Sequence, residues 1–275
     1  AVDPDPGYWP DLGTGSLLRH LLEDIFIFQN ATLATRGVYD RVGPFREDLP
    51  RSIDYDMIVR VAARFPMGFV DAVLFDQRKH AGARGPAAAK HKARDMDAVW
   101  RETDRQIFRD FREALPLSLY AAMFEAAEPG LAERAGLLQR AAVYARHDLW
   151  DLALEDFETV AGMADAGPFT ATEHAICRRA MAGKHGCDGA LVADIARGLT
   201  ALRRSEIGRG ITVGLARGLR WRLREAQQAG RVGRVAALLA FMVRIAGPGA
   251  LLSAGSSAGD GLAESSNLTN EAYAW

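Results

Sequence analysis

Two acids separated by one aromatic residue, Asp54 and Asp56, stand in "PRSIDYDMIVRVAARF", residues 50–65, just ahead of an apolar pattern of helical period. Two chemistries suit them. In the first, Ser52 or Asp54 caps a helix, and the acids answer the positive end of its dipole. In the second, a carboxylate at a strand-to-helix junction of an α/β sheet, where ligands collect, accepts the proton of an attacking hydroxyl. A cationic cluster follows in "FDQRKHAGARG", where Gln77, Arg78, Lys79, His80 and Arg84 surround Gly82 and Gly85. Glycine lets an anion approach the backbone, Arg and Lys supply charge, and His contacts phosphate or ligates a metal. The cluster reads as an anion site or as a solvated loop. A phosphate-binding P-loop GxxxxGK[ST], a strand-following GxGxxG and an HExxH are all absent from the sequence. His20, His91, His147, His174 and His185 are scattered without metal-ligand spacing.

The elements that must position these residues alternate between helix and strand. "SLLRHLLEDIF" has Ser16 as N-cap and leucines at helical spacing. "IFQNATLATRG" is β-branched and aromatic, which predicts a strand ending at Gly37. "VYDRVGPF" predicts a short helix or turn closed by Gly43 and Pro44. A helix over about 55–64, the breaker "FPMG" and a second strand in "GFVDAVLFDQR" complete an α/β piece.

These pieces, in this order, resemble the second half of a family 2 glycosyltransferase catalytic domain, of GT-A fold. "QNATLATRGVYDRVGPF" is similar to its strand, short helix and "VGGFDE"-like turn. "IDYDMIVR" is similar to its "EDYDLWLR"-like acidic helix start, and "QRKHAGARG" to its Arg-His loop. The resemblance covers about 70 residues. It implies that Asp54 is the catalytic base of a sugar transfer and Asp56 a supporting or acceptor-binding acid. It implies that Arg78, His80 and Arg84 meet the donor diphosphate, with His80 near a metal. A nucleotide-sugar donor, a glycan or lipid-linked acceptor, inversion of configuration and Mn or Mg follow from the same resemblance. Ile53 stands where the family has Glu. The family's nucleotide-binding half and its strand-terminal DxD have no counterpart here, so the chain reads as a fragment not expected to turn over alone.

After Pro86 the pattern becomes helical throughout. One long helix is expected to about residue 114, then segments at 117–127, 131–146, 149–164, 170–183, 188–203, 206–228 and 231–246. Ala141, Tyr144, Ala153 and Phe157 fall at the spacing of one tetratricopeptide helix pair, which carries an alternative reading: a helical protein-interaction module with a non-catalytic α/β remnant. The expected organisation is a linker at 1–15, a partial catalytic domain at 16–114, a helical domain at 115–246 and a disordered tail at 247–275. The fold class is thus partial α/β, GT-A-like without its nucleotide half, followed by an all-α region.

Composition sets the outer bounds. The 275 residues carry a formal net charge of −1, which argues against a nucleic-acid partner. Two cysteines form neither a disulfide framework nor a zinc site. No run reaches the ~18 apolar residues of a membrane span, and the N-terminal stretch does not read as a signal peptide. A cytoplasmic location is expected, with room for peripheral attachment at the inner membrane face. Arg217, Arg220, Arg222, Arg224, Arg231 and Arg234 beside Trp221 read as an Arg-rich surface helix or as a contact for an anionic membrane or nucleic acid.

Overall fold

The computed structural model describes residues 15–68, 70, 72, 96–126, 128, 130–249 and 261–265. The chain divides after Leu115, and the second compact unit runs Pro116–Ser265. Most described residues are helical. No helix among them is long and apolar enough to cross a membrane.

In the first unit, α1 (Leu17–Glu23) starts at Ser16, whose hydroxyl accepts the Arg19 N–H at 3.2 Å. Then come α2 (Arg36–Val42), α3 (Ile53–Ala62) and α4 (Met96–Ala114). The α3 face that carries Tyr55, Ile58, Val59 and Ala62 is buried, as are Leu18, Leu21 and Leu22 of α1 and Ile107, Phe108 and Phe111 of α4. The Tyr55 hydroxyl donates to the Leu21 carbonyl at 2.8 Å, and its ring meets Phe108 at 5.4 Å. A smaller core of Val42, Met57 and Val61, flanked by Tyr39 and Phe45, packs α2 on α3.

The strand expected over 27–37 is not there. Gln29–Ala31 is a short 3₁₀ turn, the next residues are extended but unpaired in any sheet, and helix α2 already begins at Arg36. β-branched residues favour a pleated surface, but a strand exists only beside a partner. The described part of this unit contains no strand. The second expected strand and the start of the long helix lie almost wholly outside the described residues, so the α/β half is not shown.

The second unit is helical. It runs α5 (Leu117–Ala121), β1 (Phe124–Ala126), α6 (Leu131–Arg146), α7 (Trp150–Ala161), α8 (Ala171–Ala180), α9 (Asp188–Leu191), α10 (Ala193–Ala201), α11 (Glu206–Gly218), α12 (Arg220–Gln228), α13 (Val232–Ala246) and β2 (Leu262–Glu264). Helices α6 and α7 fold back on one another as a hairpin, with Ala141, Tyr144, Ala153 and Phe157 wholly buried. Arg140 locks the pair through two bonds to Asp156, at 2.8 and 2.7 Å. Arg134, wholly buried, makes a bidentate pair with Glu173 at 2.6 and 2.9 Å and donates to the carbonyls of Gly167 and Pro168. Glu173 also completes a capping box with Thr170, so one acid ties α6 to the start of α8.

Three expectations change here. The 117–127 helix stops at Ala121, and Phe124–Ala126 turns into a strand. Its antiparallel partner is Leu262–Glu264, within the tail expected to be disordered. The 188–203 segment breaks at Val192, whose extended backbone separates α9 from α10.

Candidate functional site

Asp54 sits in the first turn of α3. Ser52 occupies the N-cap position as expected, but its side chain makes no cap bond. Its backbone is left-handed at φ 54°, and its hydroxyl donates to Asp104 at 3.2 Å. A non-glycine residue in that region costs about 1–3 kcal/mol and persists only where surrounding contacts impose it. Asp54 takes over the capping: its carboxylate accepts the Tyr55 N–H at 3.0 Å. Among the described residues no cation pairs with it.

The partly buried Asp54 faces a narrow cleft with Gln29, Thr32, Tyr39, Phe45 and Met57. It is the one charged side chain among the described residues of that lining. The cleft holds about 20 Å³ of free space, enough for a single water-sized group. A carboxylate here has one face on the helix N-terminus and the other toward whatever hydroxyl enters. Ile53, at the position of the family's Glu, is 39 % exposed.

Asp56 does something different. It is 1 % exposed and pairs with Arg60 at 2.8 Å, one helical turn on. Arg60 in turn donates to the carbonyls of Val42 at 2.6 Å and Pro44 at 2.9 Å. Those carbonyls belong to the end of α2 and the "VGPF" turn, where Gly43 adopts φ 84°. The two motifs that stand close in sequence are therefore one mechanical assembly: Asp56 holds Arg60, and Arg60 holds the turn that places Phe45 in the cleft wall. Arg46, from the same turn, lies 3.9 Å from Asp56 and bonds Asp48 and Asp110 at 2.6 and 2.7 Å. Hydrogen bonding to Asp48 leads the effects that raise the Arg46 pKa, against its partial desolvation, and Arg46 holds the Asp48 carboxyl below its usual range. Asp56 is thus buried and paired with Arg60, and it does not line the cleft.

The structure brings Asp54 and Asp56 to one helix start. Arg78, His80 and Arg84 lie outside the described residues. The Arg60 clamp was not singled out in the sequence, although Asp56 and Arg60 stand at the i, i+4 spacing that favours an acid–base pair on a helix. Among the described residues of the first unit, those around Asp54 do not compose a divalent-cation shell, because Asp56 is engaged by arginine. Burial pushes both thiols up, Cys177 and Cys187, which leaves neither as a nucleophile. No protein-family model, curated protein or solved structure matches the chain.

Proposed function

We propose that the chain carries the acceptor side of a glycosyltransferase acting on a nucleotide-sugar donor and a hydroxyl acceptor. The observation that carries this reading is the carboxylate of Asp54: uncountered by any described cation, bonded to the helix start, and alone in charge at the lip of a cleft. The order of the three sequence motifs supports it.

In that reading an acceptor hydroxyl enters the cleft within hydrogen-bond reach of Asp54. As its oxygen attacks the anomeric carbon, the proton passes to the carboxylate, and the bond from that carbon to the nucleoside diphosphate breaks. Attack from the face opposite the leaving group inverts the configuration. Asp56 and Arg60 hold the cleft wall still, so the base and the hydroxyl meet in one geometry. Arg78, His80 and Arg84 are proposed to neutralise the departing diphosphate. A Mn or Mg ion would supply Lewis-acid stabilisation of that leaving group, with His80 beside it. Lipid-linked or glycan acceptors, and a location at the inner membrane face, belong to the same proposal.

The α6–α7 hairpin favours a second reading for the second unit, as a tetratricopeptide-like platform for a protein partner, because the small and aromatic positions of such a pair are the ones buried. The two readings separate on Asp54→Asn in the full-length gene product. Loss of sugar transfer with the fold intact supports the enzyme; unchanged transfer removes Asp54 as the base.

A further inference from the structure

Helix α11 carries glycines four residues apart, and they decide how close α8 lies. A Cβ at Gly214 would stand 2.5 Å from the Cys177 Cβ, and one at Gly218 would stand 2.4 Å from the Arg178 carbonyl. The backbones therefore approach where no side chain fits, and the residues beside the seam are drawn together. Arg178 and Arg179 of α8 come to face Arg217 of α11 and Arg220, Trp221 and Arg224 of α12 across a groove of about 450 Å³. Among the described residues five guanidiniums line it and no acid does.

The charges in this groove are answered unevenly. Arg179 pairs with Glu264 at 2.7 Å and bonds Gln139. Arg178 and Arg224 are exposed and make no ion pair among the described residues. Desolvation and then the neighbouring Arg220 and Arg178 depress the Arg217 pKa, so the cations crowd one another. By contrast, the groove lined by Arg197, Arg204 and Arg244 also holds Glu158 and Asp194. Arg222 turns away from this role and donates to the carbonyls of Met181 and Gly183 at 2.8 and 2.6 Å. Its guanidinium also lies over the Trp221 ring, which is 45 % exposed.

We propose that the α8–α11–α12 groove is a binding site for a phosphoryl or pyrophosphoryl group, held by Arg178 and Arg224 and by the guanidiniums between them. Several planar forks converging on one space suit an anion with many oxygens better than a single carboxylate. A multiply charged anion also relieves the mutual repulsion that the fold imposes. The groove shares no residue with the Asp54 cleft and does not depend on the glycosyl-transfer reading. The phosphate has two sources of the same chemistry: a soluble phosphorylated molecule, or the headgroup of an anionic lipid.

The test uses the full chain and its Arg178→Gln/Arg224→Gln variant. Sodium pyrophosphate is titrated calorimetrically at low and high NaCl. Both chains are also sedimented with phosphatidylcholine vesicles with and without phosphatidic acid. Saturable pyrophosphate binding that weakens about tenfold or more in the variant, and falls with salt, establishes the site and a soluble source. Sedimentation only with phosphatidic acid, lost in the variant, establishes the site and the headgroup source. Thermal melting checks that both chains fold alike. If the double variant melts early, Arg224→Gln alone, exposed on α12, carries the same expectation with a smaller loss. Binding equal in wild type and variants, or none of either probe, overturns the proposal.

Discussion

Asp54 and Asp56 are separated by one residue and by their whole chemistry. Asp56 is buried against Arg60, whose removal from its partner leaves a largely buried cation. Breaking such a pair from one side costs about 3 kcal/mol or more. Asp56→Ala is therefore expected to lower the urea midpoint of the first unit markedly, and to reduce function only together with stability. A midpoint like that of the wild type would show that the clamp is not holding the turn. His174 gives a second residue-scale expectation. Burial, then Arg217 and Arg178, hold its pKa down at about 4. An unfolded imidazole takes up its proton near ~6.5. Between those values the unfolded chain binds more protons than the folded one, so stability falls as pH drops from ~6.5 toward 4. The slope from this group is at most about 1.4 kcal/mol per pH unit, reduced by solvent at its edge. Urea unfolding of wild type and His174→Gln across that range checks it: the variant is expected to lose part of the slope.

At the scale of elements, what holds the second unit is a set of cross-links between helices rather than helix propensity alone. Arg134 and Glu173 are both wholly buried, and Arg134 also serves the carbonyls of the α7–α8 connection. Arg134→Met is expected to destabilise by about 3–5 kcal/mol, because it strands a buried carboxylate; equilibrium unfolding of the isolated variant chain measures this. Legibility in the sequence divides along the same line. Helices α6, α7, α8 and α13 were readable because apolar period, caps and breakers are local signals, as with the Thr170–Glu173 box. The pairing of Phe124–Ala126 with Leu262–Glu264 was not, because it joins short segments far apart in sequence. Nor was the break at Val192, where no Gly or Pro marks the chain. The stretch "QNATLATRG" misled for a related reason: its residues suit a strand, and no described strand lies beside it. The Arg-rich run from Arg217 to Arg234 was visible as a stripe, but packing sorts it. Arg222 serves backbone carbonyls, Arg234 pairs with Asp188, and Arg217, Arg220 and Arg224 line the groove.

Across the whole molecule the two proposed sites fall on different parts of one chain: a base and its support at the start of α3, and an anion-binding groove among α8, α11 and α12. The helix that bears Asp54 and the turn before it followed from sequence order; the Arg60 clamp between them did not. The cleft, the strained Ser52 and the separation of roles between the two acids needed the fold. The most direct measurement is nucleoside diphosphate release by the full-length gene product from a panel of nucleotide sugars with a glycan acceptor mixture, wild type against Asp54→Asn. Asparagine keeps an acceptor for the helix-start N–H, so the fold and its melting temperature should not change. Removing a general base lowers the rate by about 10²–10⁴-fold. A loss of that size is expected, with donor affinity retained. A variant that releases diphosphate and transfers sugar at the wild-type rate would contradict it.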